Sequence, residues 1–230
     1  LNFEVEDIEK IVIIAKKHKI ITAMDNTWAT FKGFNPIKLG VNIVIESCTK
    51  YISGHSDNFC GIIACSNKNY KKIKQTAVRL GDYVSSDSCY TSIRGLRTLS
   101  LRLRQHQENA GVIFEYLKKN KYVNEIFFLP DKQNTHHLLW RKYFKNANGL
   151  ITFSLLKTNK IEKFLDSLKL FKIGFSWGGY ESLILPLGQL KPTINNYKNS
   201  FYWFRIHIGL ESTEDLIMDL ENGFKKYEEK

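Results

Sequence analysis

The 230-residue chain is poor in the residues that mark specialised classes. Its four cysteines (Cys48, Cys60, Cys65, Cys89) are too few and too irregularly spaced for a disulfide framework, and none forms a CxxC pair. They read as small apolar residues in a reducing compartment, so the expected location is the cytoplasm. Only four prolines are present, and no low-complexity linker or internal repeat is visible. No stretch approaches the roughly 20 unbroken apolar residues of a membrane span; the longest runs are cut by charge, as in IEKIVIIAKKHK (8–19). A basic segment followed by an apolar one and a small-residue cleavage site is also missing, so no signal peptide is expected. His136 and His137 are adjacent and cannot share a helical face, and Cys60-x4-Cys65 lacks partners at zinc spacing, so no metal site is expected.

Apolar residues make up 43% and aromatics 13%, enough to bury a core, which excludes disorder. The formal charge is +11, from 34 Lys plus Arg against 23 Asp plus Glu. Only seven of the 34 are arginine, and the lysines are spread along the whole length. No zinc-finger spacing, RNA-binding aromatic strand or basic-region heptad accompanies them. The charge therefore reads as a solvated surface rather than a polyanion site, with Arg94, Arg97, Arg102 and Arg104 the one compact cluster.

Residues 5–18 place Val5, Ile8, Ile11, Val12 and Ala15 at helical spacing, acids first and lysines last. IITAM (20–24), NIVIE (42–46) and FCGIIAC (59–65) are short continuous apolar runs that suit buried parallel strands. This alternation predicts an α/β domain with a mostly parallel sheet. From 87 to 119 the pattern is helical, with a break expected around Gly95 or Gly111. Strands are then expected at 149–156 and 201–210, and helices at 161–171 and 213–227, which together describe a smaller α+β domain. The boundary is placed at 118/119, with the long helix closing the first part.

Polar residues gather where apolar strands end, which is where α/β sheets place ligands. Asp25 follows IITAM; Ser47, Thr49 and Lys50 follow NIVIE; Ser176 and Trp177 precede a glycine pair in FSWGGYESL. Two hydroxyls suit phosphate oxygens, a primary amine suits a carbonyl carbon, and a neighbouring acid suits a ring nitrogen.

These residues, with AMDNTWAT (23–30), TKYISGHSD (49–57), RGLRTLSLRLRQHQ (94–107), SWGGYESL (176–183) and RIHIGLE (205–211), resemble the Cys/Met-metabolism family of pyridoxal-phosphate enzymes. Within that family the likeness is greatest to the cystathionine β-lyases, on Trp28 and on the Ser-Trp-Gly-Gly segment. The resemblance implies the C-terminal part of a fold type I transferase architecture and a pyridoxal 5'-phosphate cofactor. It also implies α,β-elimination of cystathionine to homocysteine, pyruvate and ammonia, and assembly as a dimer of dimers. Lys50 would hold the cofactor covalently and move the Cα proton. Asp25 would face the pyridine nitrogen, and Ser47 and Thr49 the phosphate. Arg205, Ser176 and Trp177 would bind the substrate, Arg205 through its carboxylate.

Other readings stand beside these. Trp28 and Trp177 also suit a core, Asp25 a turn cap, and Arg205 a structural ion pair. His55 reads as ordering its loop. Phe31 stands where the family usually has proline, Cys48 lies between the two hydroxyls, and FYWF before Arg205 is bulkier than expected. Family members carry a substantial stretch before the position of Leu1, so little activity is expected of residues 1–230 alone. A cysteine desulfhydrase and a non-catalytic fragment are the competing functions.

Overall fold

A computed structural model describes residues 3–156, 160–188 and 201–228. The chain forms two compact bodies. One comprises Glu4–Arg102 with His136–Ala147; the other is built mainly from Leu103–Thr135 and the described part of Asn148–Lys230. Among the described residues no helix is long and apolar enough to cross a membrane.

The first body opens with α1 (Ile8–Lys17), which buries Ile8, Val12 and Ala15 on one face. Its start is fixed by Asp7, whose carboxylate accepts the Lys10 amide at 3.4 Å and the Tyr143 hydroxyl at 2.7 Å. The Tyr143 hydroxyl first, and then the Lys10 ammonium 3.1 Å from Oδ2, hold the Asp7 carboxyl below its ordinary range. A three-stranded sheet follows, ordered β1 (Ala23–Asp25), β2 (Ile43–Ser47), β3 (Gly61–Cys65). β1 runs parallel to β2, pairing Asp25 with Ile45. Between them lie the short helix α2 (Thr30–Gly33) and a tight turn at Pro36–Leu39.

Two strand readings are corrected here. The strand expected at 20–24 is only Ala23–Asp25, because Ile20 and Ile21 precede the point where Thr22 and Asn42 lock the two chains together. β3 is antiparallel to β2, with Ser47 opposite Gly61 and Ile43 opposite Cys65, and its face is open rather than buried. A short apolar run carries no sign of direction. The link to β3 is one helical turn and a loop, with no long crossover helix to bring the chain back parallel.

α3 (Asn67–Leu80) and α4 (Ser86–Leu96) come next, and α5 (Leu99–Lys119) carries the chain into the second body. The break in the long helical region falls at Arg97–Thr98, two residues after Gly95, and Gly111 lies within an unbroken α5. Gly95 matters for another reason. A Cβ there would overlap the Ile52 carbonyl oxygen, so glycine permits α4 to lie directly on that backbone. α6 (His137–Tyr143) returns to the first body, where the Phe144 ring lies 4.8 Å from Phe34.

The second body is a five-stranded sheet ordered β4 (Val123–Phe127), β5 (Leu150–Leu156), β8 (Phe201–His207), β7 (Leu183–Gly188), β6 (Lys172–Ile173). All its pairings are antiparallel except β6 with β7. α7 (Ile161–Asp166) and α8 (Thr213–Glu228) cover one face. The bulk of FYWF is thereby explained. Phe204 enters the core between Phe153 and Phe164, and Trp203, on the other face, stacks on Phe127 at 5.4 Å. Burying each such side chain contributes about 1.5–3 kcal/mol.

Candidate active site

Each body presents part of the expected constellation. In the first, Asp25 is the last residue of β1 and Ser47 the last of β2, so both leave the carboxyl ends of adjacent parallel strands. They are tied together by Thr27. The Asp25 Oδ1 accepts the Thr27 amide at 2.8 Å, and the Thr27 hydroxyl accepts the Ser47 amide at 2.8 Å. Asp25 thus stabilises the turn after its strand while remaining exposed to solvent.

Directly after Ser47 the chain forms one wide helical turn, Cys48–Ile52. The amides of Ser53 and Gly54 close it on the carbonyls of Cys48 and Lys50, both at 2.8 Å. Lys50 itself leaves helical geometry (φ −84°, ψ −128°) and is half-buried. The two hydroxyls differ. Ser47 makes no side-chain hydrogen bond to the described residues, whereas Thr49 is engaged with the Cys60 backbone. Its Oγ1 accepts the Cys60 amide at 3.1 Å and lies 3.4 Å from the Cys60 carbonyl. His55 donates from Nδ1 to the Ser53 carbonyl at 2.6 Å and so orders the loop. Asn58 secures it further, donating to Ser53, Ser88 and Ser92.

Sequence reasoning passed over Glu46. This carboxyl is buried beneath the site, accepts Asn26 Nδ2 at 2.8 Å, and is held above its ordinary range by burial. Asp25 adds to that upward push, while Asn26 and the Phe31 amide oppose it. A proline at position 31 would have no amide to offer the Glu46 carboxyl. Trp28 sets its ring edge-on to Phe144 at 5.5 Å, which is core packing.

In the second body the segments 176–183 and 205–211 are interlocked. Arg205 is buried and opposite Thr152 and Leu185. Its Nη2 donates to the Phe175 carbonyl and, at 3.3 Å, to that of Ser176, while the guanidinium lies 5.6 Å from the Phe175 ring centre. His207 accepts the Gly178 amide on Nε2 at 3.0 Å and donates from Nδ1 to the Glu181 carbonyl at 3.1 Å. That pattern requires a neutral imidazole. Ser176 is exposed and Trp177 half-buried at the tip of the segment so held. The bonds to 175 and 176 orient the guanidinium plane of Arg205 as well as the turn.

Comparison with known proteins is consistent over nearly the whole chain. A family model described as Cys/Met metabolism PLP-dependent enzyme matches residues 1–225. The chain is 38% identical over 226 residues to an L-alanine/L-glutamate racemase of Wolbachia pipientis wMel, covering 96% of this chain and 56% of that protein. To the cystathionine beta-lyase of Escherichia coli (strain K12) it is 34% identical, covering 98% of this chain and 60% of that one. The solved structure of a cystathionine gamma synthase from Xanthomonas oryzae pv. oryzae superposes with a TM-score of 0.90 at 31% identity, over 99% of this chain and 61% of that chain. A cystathionine gamma-lyase from Lactobacillus plantarum gives 0.88 at 29%, over 96% and 60%. The chain therefore spans about 60% of the length of these relatives. It belongs to the Cys/Met metabolism family of pyridoxal-phosphate-dependent enzymes, with the fold type I architecture and the cofactor of that family.

Proposed function

We propose that the protein is a carbon–sulfur lyase acting on cystathionine, releasing homocysteine, pyruvate and ammonia. The observation that carries this reading is the Asp25–Thr27–Ser47 link, which sets an acid and the lysine-bearing turn at neighbouring strand ends. The donor set fits pyridoxal phosphate: an exposed carboxylate for a pyridinium nitrogen, a hydroxyl on Ser47 for the phosphate, and the amine of Lys50 for the aldehyde carbon. Once bound, the cofactor supplies an electron sink for the carbanion at Cα. Thr49 joins the phosphate only by turning its hydroxyl away from the Cys60 carbonyl.

Lys50 then takes the Cα proton on Nζ and returns it to the departing group. Asp25 holds the proton of the ring nitrogen in place. Arg205 binds the substrate carboxylate through its guanidinium group, and Ser176 and Trp177 flank it. Assembly as a homo-oligomer belongs to the same reading, and light scattering on a sizing column tests it.

A second reading is amino-acid racemisation, favoured by the 38% identity to a racemase. It uses the same proton abstraction at Cα, but the proton returns to the opposite face and no bond to sulfur breaks. Incubating the protein with pyridoxal phosphate and cystathionine, cysteine or L-alanine separates the readings. Pyruvate from cystathionine, abolished in Lys50→Ala, supports the lyase. Pyruvate from cysteine alone identifies a desulfhydrase. Loss of optical activity from alanine without pyruvate identifies a racemase.

A further inference from the structure

The turn that carries Lys50 ends in carbonyls that no continuing helix can satisfy, and a buried arginine meets them. Arg102, near the start of α5, is only 6% exposed. Its Nη1 donates to the Tyr51 carbonyl at 2.7 Å and its Nη2 to those of Ile52 at 3.1 Å and Gly95 at 2.8 Å. Nε donates to the Thr98 hydroxyl at 3.0 Å. All four acceptors are neutral oxygens, so the guanidinium serves here as a planar fork of donors. It gathers the backbone just after Lys50 and the α4–α5 junction onto one side chain.

The fit around it is close from both sides. Gly54 adopts φ +71°, and a Cβ there would overlap Arg102 Nη1. A Cβ on Gly95 would overlap the Ile52 carbonyl oxygen. A lysine offers three donors from a single nitrogen and cannot reproduce this spread of acceptors.

We propose that Arg102 is a positioning residue: it fixes the turn Cys48–Ile52 so that Lys50 leaves the backbone in one direction. This rests on the assignment of Lys50 as the cofactor-binding lysine. A lysine side chain has four rotatable carbons, so the backbone direction at its base determines where its amine is held. An error of about 1 Å in such a placement lowers reactivity by up to about a hundredfold.

The test is reductive trapping. The full chain is treated briefly with substoichiometric pyridoxal phosphate and borohydride, and the label on each of its 27 lysines is quantified by peptide mass spectrometry. Lys50 in the unaltered protein is expected to take roughly tenfold or more label than the mean of the others. Arg102→Lys is expected to bring Lys50 down to that mean with the far-ultraviolet circular dichroism unchanged. Arg97→Lys, a change at an exposed neighbour, is expected to leave the preference intact. Should Arg102→Lys fail to fold, Thr98→Val is read in its place; it removes one of the four bonds and is expected to lower the preference partway.

No preference for Lys50 in the unaltered protein overturns the lysine assignment and this inference with it. Preference in the unaltered protein that persists in folded Arg102→Lys, or in Thr98→Val where that variant is read, overturns the role of Arg102 alone.

Discussion

Glu211 holds Ser182 twice. Oε1 accepts the serine amide at 2.7 Å and Oε2 accepts its hydroxyl at 2.8 Å. The serine oxygen in turn accepts the Gly209 amide at 2.8 Å. This two-oxygen grip fastens the segment bearing Ser176 and Trp177 to the end of β8. Glu211→Gln keeps one good acceptor and places an NH2 against a donor. The expected cost is about 1–3 kcal/mol, read as a lower urea midpoint. Ser182→Ala should cost less in the Glu211→Gln background than in the original, and equal costs would show the pair to be uncoupled.

Asp219 does comparable work inside the second body. Its buried carboxylate accepts the amides of Lys169, Leu170 and Phe171 at 2.7, 2.9 and 3.0 Å. Asp219→Asn leaves one oxygen for three donors. A loss of about 2 kcal/mol is expected, from the charged hydrogen bonds and from the buried Phe171 amide. An unchanged midpoint in urea would mean that these amides find other partners.

Glu46 makes stability depend on pH. Burial raises its folded-state value above the ordinary 4.5, so the native protein holds this proton more tightly than the unfolded chain. Stability from this group is complete below about 4.5, then falls as pH rises and the unfolded form ionises first, levelling above the folded value. Asn26 Oδ1 and Glu46 Oε2 are both buried acceptors without a donor, and a proton on the carboxyl supplies one. Glu46→Gln should therefore raise the melting temperature at pH 7 more than at pH 4. The reverse order would place the carboxylate, rather than the acid, in the native state.

Cys48 should be the slowest of the cysteines to alkylate. Burial, with Cys60 beside it, pushes its thiol up to about 12, whereas Cys89 is exposed. Iodoacetamide at pH 8 is expected to modify Cys89 readily and Cys48 only after unfolding, because the thiolate is the nucleophile. Peptide mapping at intervals checks this; early labelling of Cys48 would show that the turn bearing Lys50 opens in solution.

Strand ends were legible in the sequence because a polar residue after an apolar run stands out against a simple background. Asp25, Ser47 and Lys50 stand out this way, α1 follows from spacing and charge order, and the expected helix at 213–227 corresponds to α8. Direction was not legible: nothing in GIIAC distinguishes a parallel from an antiparallel strand, since a short unbroken apolar run fits either. Arg102 and Glu46 were hidden for a different reason. One reads as surface charge in a basic helix, and the other as an ordinary acid at the end of a strand. Their roles come from chain segments up to 51 residues away, and no local pattern records such a contact. The helix break was legible to within two residues, since Gly95 lies just before Arg97–Thr98.

The order of strands in the second body has a consequence for biosynthesis. β8 is the central strand, with β5 on one side and β7 on the other, yet it is the last strand to be translated. Until it emerges from the ribosome, the β4–β5 ribbon and the β6–β7 pair have nothing between them. Each presents an unpaired edge, and Phe153, Leu155 and Ile184, fully buried at the end, have no completed core to enter. At about 5–20 residues per second the interval lasts seconds. During it the nascent chain is most in need of a chaperone, and a premature stop before Phe201 would leave that interval permanent.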